Sequence, residues 1–225
     1  MRCQSCDVLR ITGKAALTFI LLTCGCLTST LLAAGELVEL DLSHERGVFH
    51  LRLEMILEAP HKDVHNVVTD YAHIYRLNPS IVESAVMEML DDSVVRIKTL
   101  INDCILIFCR DILRVEDVRE LGTGDIFAVI VPRLSNVKSG AALWQIQPLG
   151  SHTRINYYLT LEPGFFIPPA IGTYLVKKKL QQEVLISFSN IERIAQIRSG
   201  RTQVTDSVLQ EPRSNRGARE YDSAK

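Results

Sequence analysis

The order of patterns along this chain predicts an α+β fold: a curved seven-stranded antiparallel sheet, two short helices after its first strand, and one long C-terminal helix. Three observations carry that prediction. Seven β-type runs are separated by short turn-forming breaks, two brief helical periodicities follow the first run, and a late stretch repeats apolar residues every three or four positions. With 225 residues, 47% of them apolar and 23% charged, the chain has the make-up of a globular protein with one core. That balance excludes a collagen, a wholly disordered chain and a polytopic membrane protein. Lys and Arg number 25 against 26 Asp and Glu, a net charge of -1. No basic field is present to hold a phosphate backbone, so no nucleic-acid partner is expected.

The first 34 residues read as a targeting segment. Arg2, Arg10 and Lys14 precede an uncharged stretch from Ala15 to Ala34, and the chain turns acidic at Glu36, Glu39 and Asp41. A charged start, an apolar middle and small residues at Ala33, Ala34 and Gly35 match a secretory leader cleaved after Ala33 or Ala34. Leu31 or Leu32 then occupies the outer recognition position, where Ala is preferred. The same apolar stretch is long enough to remain as a membrane anchor, and Leu21 to Cys24 loosely resembles a lipoprotein attachment box. In every version the positive charge precedes the apolar run, which sends the remainder across the membrane. The expected location is periplasmic, or tethered to the outer side of the inner membrane. Losing the leader leaves a net charge of -3.

Only Cys104 and Cys109 remain beyond that segment, so no disulfide framework is expected. On one continuous strand these two lie about 16 Å apart on opposite faces, beyond disulfide reach, and they read as buried thiols.

From Val48 to Leu57, Phe49, Leu51, Leu53, Met55 and Leu57 alternate with mostly polar residues, the period of a half-buried strand. Pro60 starts a short helix carrying Val64, Val67, Val68 and Tyr71 on one face, and a second helical piece from Ala72 to Leu77 stops before Pro79. Six strands follow in a meander: Val82–Leu90, Val94–Ile101, Ile105–Leu121, Ile126–Val131, Gly140–Gln147 and Arg154–Glu162. Beyond Pro168 and Pro169, Val176, Leu180, Val184, Phe188, Ile191 and Ala195 mark one stripe of a helix running to about Ile197. Lys177, Lys178 and Lys179 fan over more than half its circumference and read as a solvated face. The folded domain is placed at residues 35–198. From 199 to 225 polar residues dominate, and this tail is expected to stay disordered.

One long helix must cover one face of the sheet to hide its stripe, an order of elements that resembles the helix-grip fold. Thr69-Asp70-Tyr71 followed by Leu77-Asn78-Pro79-Ser80-Ile81-Val82-Glu83-Ser84 is similar to the helix-to-strand passage of the polyketide cyclase and coenzyme Q-binding START-like family, the SRPBCC superfamily. Ser139-Gly140 to Trp144 with Thr153-Arg154-Ile155 resembles its penultimate hairpin, and Pro168-Pro169 the entry to its last helix. The resemblance covers about Val48 to Ile197. It implies a domain that binds a hydrophobic small molecule, such as a lipid, a quinone or a polyketide, between sheet and helix. It does not by itself imply catalysis. An export signal departs from the family's mitochondrial and cytoplasmic members.

Chemistry-bearing motifs are sparse. His61 and His65 have a metal-compatible spacing, but Lys62 stands where a zinc protease has Glu, and they read as solvated helix histidines. Gly122-Thr123-Gly124 is a strand-linking turn, and no nucleophile elbow occurs. No metal, cofactor or catalytic residue is assigned. Trp144 shares a strand face with Ala142 and Ile146, and Tyr157 and Leu159 share one with Ile155 and Leu161. These four, Trp144, Ile146, Tyr157 and Leu159, are cavity-lining candidates. Tyr71, Phe108 and the helical Leu180, Val184 and Phe188 join them. Asp70, Arg110 and Asp111 are candidate polar contacts, with Arg110 and Asp111 on opposite sides of one strand. Phe165, Phe166 and Ile167 form an apolar group read as a cavity lip or a membrane-touching loop. The leading expectation is an exported binding protein for an apolar ligand, with possible membrane association through its N-terminal segment. The alternatives are a cyclase or aromatase using a polar cavity residue, and an envelope interaction module whose interior is filled by its own side chains.

Overall fold

The computed structural model describes residues 35–105, 108–165, 167 and 171–201, with backbone alone at 105, 108 and 171. The leader (1–34) and the tail from 202 onward lie outside the described residues. Among the described residues eight strands form one antiparallel sheet, not the expected seven. They are β1 (Glu36–Glu45), β2 (Val48–Leu57), β3 (Ile81–Asp91), β4 (Val94–Ile105), β5 (Phe108–Glu120), β6 (Ile126–Ile130), β7 (Val137–Leu149) and β8 (His152–Pro163). Their order across the sheet is β1-β2-β8-β7-β6-β5-β4-β3. The additional strand is β1. Its alternation is blurred because the register slips between Leu37 and Glu39, placing Leu37 and Val38 both in solvent. Arg46 and Gly47 make the tight turn into β2, both with positive φ (50° and 88°), as a two-residue hairpin turn that matches strand twist requires.

β2 follows its sequence pattern residue by residue. Phe49, Leu51, Leu53, Met55 and Leu57 are all buried, while His50 and Arg52 are exposed. Helix α1 (His61–Val68) and a 3₁₀ segment (Tyr71–Arg76) then carry the chain from β2 to β3 at the opposite edge. Five successive hairpins return it from β3 to β8, which pairs with β2. The final helix α2 (Ile171–Arg198) has 28 residues, about 42 Å at 1.5 Å per residue.

The predicted stripe of α2 is the face it turns inward, but unevenly. Phe188, Ile191 and Ala195 are fully buried and belong to the core with Leu53, Leu57, Val64 and Ile155. Leu180 and Val184, about two turns earlier, are only partly buried. Lys178 is exposed, whereas Lys179 leaves the solvated face expected for all three lysines and pairs with the sheet.

The cysteine expectation is overturned. Cys104 and Cys109 are disulfide-bonded, because the turn lies between Ile105 and Phe108 and not at Asn102 and Asp103. The two residues thus face each other as a cross-strand pair at the tip of the β4–β5 hairpin, and both are exposed. The single strand that separated them does not exist.

Candidate functional site

Beneath α2, from Val176 to Ile191, the sheet and helix line a partly open space of about 250 Å³, near the lower end of small-molecule pockets. Its floor comes from alternate residues of neighbouring strands: Ile101 and Asp103 on β4, Ile112 and Arg114 on β5, Trp144 on β7, and Tyr157, Leu159 and Leu161 on β8. Val176, Leu180 and Val184 form the helical wall. Strand alternation makes this possible, since every second side chain points to the same face.

At the inner limit of the cavity three aromatic rings close together. Trp144 lies 4.4 Å from Tyr157, its partner in register, and 5.3 Å from Phe188, nearly parallel to it. Burial pushes the Tyr157 hydroxyl well above its ordinary pKa, with Glu116 adding to the shift and Arg114 opposing it. The hydroxyl is therefore neutral at physiological pH.

One ion pair interrupts the apolar wall. Arg114 Nε lies 3.0 Å from Glu116 Oε2, and Glu116 is 6% exposed. A buried ion pair adds little to stability once desolvation is counted, so Arg114 in an apolar cavity is a candidate ligand contact.

A second polar group spans the edge of the cavity from sheet to helix. Lys179 Nζ lies 2.7 Å from both Asp103 Oδ1 on β4 and Glu183 Oε1 one turn along α2. Ser80 donates to Glu183 Oε2 at 3.0 Å, and the buried Asn78 donates to Glu183 O and Ser187 Oγ, each at 3.0 Å. Burial opposes the charge on both members, yet the bonds from Asp103 and Glu183 raise the Lys179 pKa, and those from Lys179, Asn78 and Ser80 lower that of Glu183. Both remain charged across the neutral range. Asp103 Oδ1 also accepts the Cys104 N–H at 2.8 Å, which ties this bridge to the disulfide-closed hairpin.

Of the residues nominated from sequence, Trp144, Tyr157, Leu159, Leu180, Val184 and Phe188 line the cavity. Ile146 is core, 3% exposed, and its carbonyl oxygen lies 3.2 Å from His61 Nε2. Tyr71 lies outside the lining; its buried hydroxyl sits by Glu120, and burial followed by that carboxylate pushes its pKa well up. The Phe108 side chain lies outside the described residues. Asp70 is engaged elsewhere, with His73 at 2.6 Å and Arg198 at 3.0 Å. Asp111 is exposed and accepts from Asn102 at 2.6 Å. Arg110 stands on the inward side of β5, 5.4 Å from the ring of the cavity-lining Phe165.

Sequence reasoning missed Arg114, Glu116, Lys179 and Glu183. Arg114 and Glu116 share the parity of Arg110, but β5 carries charges on both faces, so alternation gave no signal. Asn78 and Ser80 were noticed only as a family-like passage. Among the described residues no cluster of three or more metal-ligating side chains occurs.

No family model matches the chain, and no curated protein matches its sequence. Solved structures do match. An aromatase/cyclase from Streptomyces sp. R1128 superposes with a TM-score of 0.57 at 10% identity, over 68% of this chain and 96% of its own. A STAR-related lipid transfer protein fragment from Xanthomonas axonopodis gives 0.53 at 16% identity, over 70% and 98%. A START superfamily protein from Mycobacterium smegmatis gives 0.52 at 15% identity, over 64% and 98%. Nearly the whole of each of those chains is matched, and the fold of this chain is that of START-like proteins.

Proposed function

We propose that this protein is an exported binding protein that holds an amphiphilic small molecule, its apolar body between sheet and α2 and its polar end toward Arg114. The single observation that carries this reading is the largely apolar cavity under Leu180 and Val184, with one guanidinium in its wall. Affinity would come mainly from buried apolar area, about 25 cal/mol per Å². The solved neighbours described as a lipid transfer protein and an aromatase/cyclase support the ligand class. Catalysis is not part of this reading: Asp70 and Asp111, the carboxylates nominated for acid-base work, are engaged away from the cavity. Export is supported by the leader pattern and by the Cys104–Cys109 disulfide, since such bonds persist in oxidising compartments.

Native mass spectrometry of the protein recovered from a bacterial envelope is expected to show a bound amphiphile that solvent extraction removes. Val184→Phe, which fills the cavity from its helical wall, is expected to weaken uptake of a fluorescent fatty acid at least tenfold while the unfolding midpoint stays put. Undiminished uptake in that folded variant would place the ligand elsewhere.

A further inference from the structure

Glu192 of α2 is a carboxylate only 5% exposed. Its two oxygens accept one backbone N–H each, from Gly35 and from Glu58, both at 2.7 Å. Among the described residues no cationic side chain is paired with it. A buried carboxylate without a countercharge is costly even when hydrogen-bonded, and Gly35 is the residue that follows the expected leader. A side chain there is excluded: a Cβ on Gly35 would stand 2.8 Å from Ile56 O and 3.0 Å from each Glu192 oxygen.

We propose that the leader is cut at the Ala34–Gly35 bond and that the new Gly35 α-ammonium is the countercharge of Glu192, locking the mature N-terminus into the fold. Water adds across the amide. Ala34 departs as a carboxylate, and the Gly35 nitrogen takes up a proton and becomes –NH3+; the catalyst is a membrane leader peptidase. The nitrogen that already donates to Glu192 Oε2 thereby gains a full charge without moving, turning a neutral hydrogen bond into a charge-assisted one. The sequence leaves Ala33 and Ala34 as equal cut sites. The 2.7 Å contact selects the second, because a chain beginning at Ala34 keeps Gly35 as an amide and carries its charge one residue away from the carboxylate.

The elements that meet here carry other charged or titratable groups: Glu36 on β1, Glu54 on β2 and Glu58 just after it, His61, Lys62, Asp63 and His65 on α1, Arg154 on β8, Arg193 and Arg198 on α2, and Arg201 beyond its end. Arg154 pairs with Glu54, Arg193 bonds Asn190, Arg198 pairs with Asp70, and Arg201 bonds the Glu58 carbonyl oxygen. None is paired with Glu192.

This inference rests on the export reading, and the test separates the two. The full chain is expressed in an exporting bacterium, recovered from the envelope, and its intact mass and N-terminal sequence are read. A mature chain starting at Gly35 is expected. A retained leader would overturn both export with cleavage and the lock, whereas cleavage at any other bond would overturn the lock alone.

Stability is then followed from pH 6 to 10. Pairing raises the α-amino pKa above its ordinary value of about 8, so its contribution is complete below that value and is lost as pH rises through the folded pKa. Each unit of elevation is expected to appear as about a tenfold fall in the folding equilibrium constant over that window, missing in Glu192→Gln. A second variant inserts one Asn between Ala34 and Gly35, a side chain too large for the position before the cut, so that the mature chain begins at this Asn, as its N-terminal sequence is to confirm; this displaces the charge but keeps Glu192 and the Gly35 N–H. It is expected to match Glu192→Gln and carries the test if that variant does not fold. The wild-type profile in the insertion variant would overturn the pairing.

Discussion

The two halves of α2 put the same kind of residue to different uses. In its C-terminal half Phe188, Ile191 and Ala195 are fully buried and belong to the core, with Phe188 and Ile191 also closing the inner wall of the cavity. In its N-terminal half Val176, Leu180 and Val184 continue the same stripe but face a cavity. The helix also changes how it is held. Glu192 binds two backbone N–H groups at the packed end, while a charged bridge from Lys179 to Asp103 spans the hollow end. The difference teaches that one apolar stripe serves as core where the sheet and α1 cover it completely and as cavity wall where they cover it in part.

Truncation at the two ends tests this most severely. Phe188→Ala is expected to cost about 3–5 kcal/mol, as for a fully buried ring, whereas Leu180→Ala, with open space already on one side, is expected to cost no more than about 2 kcal/mol. Urea unfolding of both variants checks it, and equal losses would mean that the hollow end is packed.

The next effect sharpens the same contrast. Reducing the Cys104–Cys109 bond, which closes a short loop at the hollow end, is expected to cost at most about 2 kcal/mol by loop entropy. Hydrogen exchange should then rise in β4 and β5 beside the hairpin tip and stay unchanged in β2 and β8. Uniform acceleration through the sheet would break the division.

The smallest effect concerns the bridge. Its groups are partly solvated, so the pairing is worth little energy, and Lys179→Met is expected to speed release of a bound fluorescent fatty acid only about threefold. Acid should mimic it. The Glu183 pKa lies below its ordinary 4.5, so its contribution is present above that value and is lost as pH falls through the lower folded value. Release should quicken in the wild type as pH falls through that lowered value and change less in Lys179→Met. An unchanged rate in both would show that the bridge does not guard the cavity.

How legible was all this in the sequence? β2 was read residue by residue because its inner face is apolar throughout and its outer face carries His50, Arg52 and Glu54, with only Val48 and Ile56 apolar at its ends. The stripe of α2 was equally plain. β1 was missed because a bulge breaks its alternation, and the β4–β5 turn was misplaced because Ile105 to Phe108 is apolar throughout and carries no turn residue. That one error concealed the disulfide. The aromatic and aliphatic cavity residues were found because alternation names the inner face once the strand is known. Arg114 was not, since a strand with charges on both faces gives period-two reasoning nothing to separate.

Local chemistry along the chain determined the antiparallel meander, the long amphipathic helix, the leader-like start and the apolar inner face, because each depends on residues within one or two turns or one strand of each other. Tertiary structure decided which stretch of the helix stripe meets the sheet and which stands off it. It also decided that Cys104 meets Cys109, that Lys179 meets Asp103, and that Glu192 meets Gly35 across 157 positions of chain. Those pairings depend on how α2 lies across the sheet and on the exact place of a turn, quantities summed over many residues that no local pattern records.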